Sequence, residues 1–167
     1  MTLPLAALGA LIAALFESTP LAELPIAGAT IDLVLILAVV ATMTMGVEDG
    51  LVWAFVGGLM LDMLTPARPI GATTLTLLLV TGFAILATRF APSGRRVLAV
   101  AAVFALTFLY HGLLLGLLNL TQHLAVNALQ PRIVLIGAVL NALVAIPVAF
   151  GLTSVERRIG ARERPDW

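Results

Sequence analysis

Long apolar segments follow one another along the whole chain, and this feature limits its possible folds more than any other. Residues 70–88, 97–118 and 133–155 are each close to the roughly 20 apolar residues that a membrane-spanning helix needs. Residues 2–18 are slightly shorter and fit a membrane with local thinning or tilt. Residues 29–47 fit if Asp32 lies near a membrane interface. The pattern predicts a bundle of helices in lipid.

Composition leads to the same class of protein. Of the 167 residues, 61% are hydrophobic and 11% are charged, and the mean hydropathy is +1.13. An ordinary soluble domain has about 45–50% apolar and about 25% charged residues. Because folding leaves much of any chain exposed, a soluble domain of this size could not hide so much apolar surface. We therefore expect an all-α integral membrane protein with about six transmembrane helices in one bundle.

The segment 50–65 allows two topologies. Only twelve uncharged residues separate Asp49 from Asp62. At about 1.5 Å per residue they reach about 18 Å, which is short of a roughly 30 Å hydrocarbon core. The segment either spans the membrane with Asp62 enclosed in protein, which gives six spans, or it re-enters, which gives five. We favour six spans.

Arginine supplies all nine basic residues. With six spans, seven of them lie on one side, in the loop 89–96 and the tail 156–167, whereas Arg68 and Arg132 lie on the other. Because basic loops face the cytoplasm, both termini are predicted to be cytoplasmic. No basic residue precedes the first apolar segment, unlike in a secretory signal peptide, so this helix is predicted to be retained. The predicted organisation is a transmembrane domain at 1–155 and a short Arg-rich cytoplasmic tail.

Several function classes find no support in the sequence. The net charge is zero, which gives no electrostatic case for a nucleic-acid partner, and there is no cysteine. The chain has no nucleophile elbow, phosphate-binding loop, zinc-protease motif or aspartate-rich pair. No group of His, Asp and Glu has the spacing of metal ligands. We therefore predict a protein that is not an enzyme, with no catalytic residue, cofactor or metal.

Small residues recur at helical spacing in two places. Ala6, Ala10 and Ala14 lie four residues apart in the first apolar segment, and Gly112 and Gly116 form a G-x-x-x-G in the fifth. In lipid, such rows let helix backbones approach closely. Packing within the chain is favoured for each row, and the alternative is that the row receives a partner helix. The alanine row is the better candidate for a partner, because a terminal helix often lies at the edge of a bundle.

Asp62 is the most informative single residue, since an acid within a membrane is costly. A proton relay would need a second titratable group, and Asp32 and His111 are the candidates. A structural role is favoured, in which Asp62 accepts hydrogen bonds from free amides at the start of the next helix, with Arg68 as a further partner. Pro69 lies where a helix start prefers proline. A helix cap or an interfacial position accounts for Asp32, and a bond to a backbone carbonyl accounts for His111.

A glycine and aspartate motif occupies the third apolar segment and the turn after it, and a lone aspartate opens the second. The motif positions are Asp32, Gly57, Gly58, Asp62, Pro69 and Gly71. The segment 50–71 resembles the signature of the rod shape-determining protein MreD family, a G-F-x-x-G-L-x-x-D-like run followed by P-x-G. The segment 31–37 resembles that family's P-D-L-x-L-I-like second helix. Ile31 replaces the usual proline, Val56 separates Phe55 from Gly57, and beyond 31–71 only hydropathy matches.

The resemblance implies a non-enzymatic scaffold of the bacterial cell-elongation machinery in the inner membrane. Such a protein would bind the single-pass protein MreC. Through MreC it would contact the actin-like MreB and the RodA–penicillin-binding-protein synthase. The family's fold is said to resemble the substrate-binding component of energy-coupling-factor vitamin transporters.

That likeness supplies an alternative function, a substrate-binding membrane component of a small-molecule transporter. In such components an A-x-x-x-A row on the first helix docks the coupling subunit, and Ala6, Ala10 and Ala14 would serve. A transporter component should retain or bind a vitamin-type ligand after purification, whereas a scaffold should not.

Overall fold

The chain forms an all-helical bundle. The computed structural model describes residues 3–19, 28–66, 69–89, 95–122 and 130–160, and these ranges contain six helices and no strand. The helices are α1 (Leu3–Ser18), α2 (Leu33–Thr44), α3 (Val47–Leu64), α4 (Ala72–Thr88), α5 (Arg95–Gln122) and α6 (Pro131–Gly160). The prediction of an all-α fold is confirmed. Arg68 and the tail beyond Gly160 lie outside the described residues, so the predictions made for them are not addressed by the structure.

The shortest helix, α2, is the centre of the bundle. It packs against each of the other five helices, and ten of its twelve residues are buried. Its sequence is apolar on every face, which is typical of a helix that is surrounded by protein or lipid on all sides. α2 is shorter than the predicted segment 29–47, because residues 28–32 enter the bundle without helical structure.

The surface of the bundle is apolar and its interior is partly polar. Large apolar side chains are exposed on the five outer helices, among them Phe16, Phe55, Phe83 and Phe150, which are each about half exposed. The buried residues include Asp32, Asp49, Asp62, Asn141 and seven threonines. Most buried residues are still apolar, so the unusual features are the buried carboxylates and the many exposed large apolar side chains. Buried threonines such as Thr42, Thr76 and Thr107 bond to the carbonyl four residues earlier in their own helix.

Two of the helices contain segments that are long and apolar enough to cross a membrane, Val97–Thr121 of α5 and Pro131–Leu152 of α6. The apolar helices α1, α2 and α4 are shorter. α3 is continuous over 18 residues, or about 27 Å at about 1.5 Å per residue. It covers residues 50–64 of the segment for which a re-entrant path was the alternative, and no break interrupts the helix.

Glycines let α3 approach its two neighbours closely. Gly57 lies against Val34 of α2, and an added Cβ would come within 2.5 Å of the valine side chain. Gly58 lies against α4, where the same atom would be 2.7 Å from the Cα of Thr74. Since backbone cannot move aside as a side chain can, the position of Gly58 admits only glycine without a shift of α4. Both glycines therefore set how closely the helices of the bundle pack.

The alanine row of α1 packs inside the chain. Ala6, Ala10 and Ala14 are fully buried, and α1 contacts α3 and α2. Beside the row, the ring of Trp53 from α3 occupies the space next to Gly9. The prediction that this row is the better surface for a partner helix is wrong, because α3 already covers it. The small residues serve the α1–α3 contact.

Candidate functional site

The carboxylate of Asp62 is bonded to the start of α4. Oδ1 accepts the amide of Thr73 at 2.9 Å. Oδ2 accepts the amides of Gly71 and Thr74, both at 3.0 Å, and the hydroxyl of Thr74 at 2.7 Å. The first amides of a helix have no partner within the helix, and a carboxylate is favoured there by the helix dipole. The structural role predicted for Asp62 is confirmed.

The turn between α3 and α4 presents these amides to Asp62. Gly71 precedes the helix with φ +96°, a left-handed conformation that glycine adopts without strain. The carbonyl of Pro69 accepts the amide of Ala72 at 3.1 Å. Pro69 therefore lies in the turn, and the prediction that it occupies the helix start is wrong. Asp62, Pro69 and Gly71 act together, since each shapes or closes the same turn.

A second polar cluster joins α2 to α6. Asn141 donates from Nδ2 to Oδ2 of Asp32 at 2.8 Å, and its Oδ1 accepts the amide of Asp32 at 3.0 Å. Both residues are buried, Asn141 completely. Asp32 makes no side-chain cap bond to its own helix. Asp32 therefore occupies the predicted cap position at the start of α2, but its carboxylate does not cap that helix: it lies inside the bundle and bonds to another helix.

Two residues of α5 extend this cluster. Asn141 Nδ2 is also 3.3 Å from the hydroxyl of Thr107. One turn later, His111 Nδ1 lies 3.0 Å from the carbonyl oxygen of Thr107, and Nε2 lies 3.9 Å from Oδ2 of Asp32. The prediction that His111 bonds to a backbone carbonyl is confirmed. The cluster connects three helices through one carboxylate, one amide, one hydroxyl and one imidazole.

The cluster lies near the middle of the two longest apolar segments, which belong to α5 and α6. Asn141 is midway along the apolar segment Pro131–Leu152, and Thr107 and His111 are on either side of the midpoint of Val97–Thr121. Asp32 is thus far from the ends of α5 and α6 although it begins α2. Sequence alone could not place it there, because a helix that begins halfway through a bundle looks like any other apolar segment.

A chamber of about 370 Å³ adjoins the cluster, where α1 and α3 end and α2 begins. Its polar lining includes Glu17, Thr30, Asp32, Tyr110 and His111. Glu17 Oε2 accepts the amide of Val34 at 2.8 Å, so the carboxylate from α1 serves the start of α2. The volume falls in the range of small-molecule sites, about 300–1,000 Å³.

The glycine pair of α5 has a different environment from the alanine row. Among the described residues, and apart from the glycines' own helix backbone and chain neighbours, no heavy atom lies within 4 Å of a Cβ added at Gly112 or Gly116. They line an open groove of about 490 Å³ between α4 and α5. The rest of the described lining is Leu75, Thr76, Leu79, Leu113, Leu117, Asn119 and Leu120. Of the two candidate faces, this is the one that the described part of the chain leaves uncovered.

Sequence reasoning did not single out two polar residues of the interior, Glu17 in the chamber lining and Thr107 in the cluster. Glu17 lies at the end of the first apolar segment, and Thr107 looks like an ordinary residue of the fifth. The available signal was weak: an acid that ends an apolar segment must be solvated or bonded, and here it is bonded to α2. Within the described residues, no group of three or more His, Asp or Glu is arranged to hold a metal ion.

Comparisons with models of protein families, with curated proteins and with solved structures give no match.

Proposed function

We propose that this chain is a polytopic protein of the bacterial inner membrane that acts as a non-enzymatic scaffold of the cell-elongation machinery. Its partner is the single-pass protein MreC, which links it to MreB and the RodA–penicillin-binding-protein synthase. The six helices span the membrane, and both termini lie in the cytoplasm. The apolar outer surface supports a location in lipid, because lipid accepts exposed phenylalanine and leucine side chains that water would not.

The groove beside Gly112 and Gly116 is the observation that carries the proposal. Lipid tails are as apolar as leucine, so helices associate in a membrane through close packing and a few hydrogen bonds. The glycines remove side chains from the floor of the groove, and the amide of Asn119 lies at its edge among leucines. A single transmembrane helix could approach the α5 backbone closely here.

The segment 50–71, which resembles the MreD signature, supports the same assignment, because its residues act as one structural unit. Gly57 and Gly58 bring α3 against α2 and α4, and Asp62 ties the end of α3 to the start of α4. Such a unit fixes the position of α4, which forms one wall of the groove. The motif thus suits a scaffold, whose function depends on the fixed shape of its binding groove.

Replacement of the groove glycines tests the proposal. Gly116→Leu adds a side chain where the partner helix would lie, and it should leave the protein abundant because, apart from its own helix backbone and chain neighbours, no other described residue lies within 4 Å of the position of an added Cβ. Recovery of MreC with the tagged protein from native membranes should fall severalfold. Gly151→Leu is the matched control, since Gly151 of α6 is also exposed and has equally open surroundings. Equal recovery of MreC with both variants would contradict the proposal.

The chamber favours a second candidate function, the substrate-binding component of a transporter. A polar chamber of about 370 Å³ inside an apolar bundle has the size and the hydrogen-bonding groups of a ligand site. However, the alanine row that would dock a coupling subunit is buried against α3.

Mass spectrometry of the protein purified in mild detergent separates the two functions. A scaffold should carry no small molecule at stoichiometric level. A vitamin-type molecule bound at one copy per chain, and lost on Glu17→Gln, would favour the transporter and count against the scaffold.

A further inference from the structure

The imidazole of His111 can place its proton in only one way. Nδ1 lies 3.0 Å from the carbonyl oxygen of Thr107. A carbonyl oxygen only accepts hydrogen bonds, so Nδ1 must carry a hydrogen. In the neutral ring the other nitrogen, Nε2, is then unprotonated and carries a lone pair. The helix itself therefore selects the Nδ1–H tautomer.

The bare nitrogen faces a carboxylate. Nε2 is 3.9 Å from Oδ2 of Asp32. When the ring is neutral and the acid ionised, two atoms with lone pairs oppose each other, and neither can donate. One added proton changes this contact into an attractive pair of imidazolium and carboxylate. Asp32 is held in position for this ion pair, because Asn141 bonds to both the backbone amide and Oδ2 of Asp32.

We propose that Asp32 and His111 form a proton-binding site inside the bundle, in which a proton from the chamber is bound at Nε2 of His111 and stabilised by Oδ2 of Asp32. Water can deliver the proton, since the side chain of His111 is 28% exposed and lines the chamber. The site lies at the middle of the apolar segments Val97–Thr121 of α5 and Pro131–Leu152 of α6, and it joins α2 to α5. This role is distinct from that of Asp62, whose carboxylate serves the start of α4, and it goes beyond the proposed scaffold function.

The surroundings of the site contain few other titratable groups among the described residues. Asp32 approaches from α2, Glu17 lines the chamber from α1, and Tyr110 neighbours His111 on α5 with the two rings edge to face. α6 contributes the uncharged Asn141. The chamber-lining residues of α3 have no titratable side chain, and neither has any residue of α4. The carboxylate of Asp32 lies within ion-pair distance of Nε2 of His111.

Nitrogen-15 NMR of labelled histidine tests the proposal directly. The chain has two histidines, so His123→Gln leaves His111 as the single reporter in the full-length protein. At high pH, the spectrum should show the Nδ1–H tautomer with Nε2 bare. As the pH falls, Nε2 should take up the proton. A neutral ring in the Nε2–H tautomer would overturn the proposal without the need for any variant at the site.

Removal of the carboxylate gives the second measurement. Asp32→Asn should weaken proton binding to His111 by about tenfold or more, because the attraction between an imidazolium and a carboxylate oxygen 3.9 Å away is lost. Glu17→Gln is the matched control: it removes a carboxylate from the same chamber, one that is engaged by the Val34 amide. It should weaken proton binding less. Equal effects of the two substitutions, or no effect of Asp32→Asn, would contradict the assignment of Asp32.

Discussion

Substitution of Asp62 probes the bond network between α3 and α4. The two carboxylate oxygens are used unequally: Oδ2 accepts three hydrogen bonds and Oδ1 accepts one, from the amide of Thr73. In Asp62→Asn, the amide oxygen can replace Oδ2 and keep three of the bonds. The new NH₂ group then faces the Thr73 amide, and two donors oppose each other.

The structure gives an order of stabilities. One buried donor without a partner costs about 1–3 kcal/mol, which is the expected loss for Asp62→Asn. Asp62→Leu leaves the buried amides of both Thr73 and Thr74 without partners, so the expected loss is about 2–6 kcal/mol. For a chain of this length, each kcal/mol corresponds to about 2–4 °C in the unfolding midpoint. Wild type should therefore melt highest, Asp62→Asn next and Asp62→Leu lowest.

Thermal unfolding of the purified protein in one detergent, followed by size exclusion, measures this order. Recovery of the partner should decline in step with stability, since Asp62 acts through the position of α4. Equal midpoints for wild type and Asp62→Leu would refute the reasoning about the amides. A folded and abundant Asp62→Asn protein that has lost all function would instead favour a proton-carrying Asp62.

Two further predictions concern helix packing. Gly58→Ala should lower stability by about 1–3 kcal/mol, the usual cost of overpacking, because its Cβ meets the backbone of Thr74; Gly112→Ala should be neutral or slightly stabilising, since alanine favours helix by about 1 kcal/mol. The melting midpoints of the two variants measure this difference. Equal losses of stability would show that the close approach of α3 to α4 does not require glycine at position 58. Ala10→Leu should reduce abundance and melting midpoint, because Ala10 is fully buried. If Ala10→Leu stays stable and loses only the partner, the alanine row is an interface after all.

Much of the helical architecture follows from the sequence because each apolar segment is bounded by charges, prolines or glycines. The segments 70–88 and 97–118 correspond to α4 and α5, and α5 continues to Gln122. The role of Asp62 was also predictable, since an acid nine residues before a helix-starting glycine can reach back to that helix. The helix positions and the role of Asp62 depend on residues that are close in the chain, so a single sequence is enough to predict them.

Contacts between distant segments could not be predicted in the same way. The Asp32–Asn141 pair joins residues 109 positions apart, and apolar periodicity does not say which helices are neighbours. The alanine and glycine rows were similar as patterns, yet α3 covers one and leaves the other open. In a bundle that is apolar on nearly all faces, periodicity does not distinguish the protein-facing side of a helix from the lipid-facing side. Which helices are neighbours, and which of their faces are covered, depends on the packing of the folded chain.

The topology of the chain in the membrane is the most direct test of the account. The protein has no native cysteine, so single substitutions report without background. Intact cells would be treated with a membrane-impermeant thiol reagent after Thr2→Cys, Gln130→Cys or Asp166→Cys. Six spans with both termini in the cytoplasm predict labelling at position 130 alone. Labelling at position 2 would contradict the six-span topology and favour five spans, and labelling at none of the three positions would contradict the claim that the chain spans the membrane.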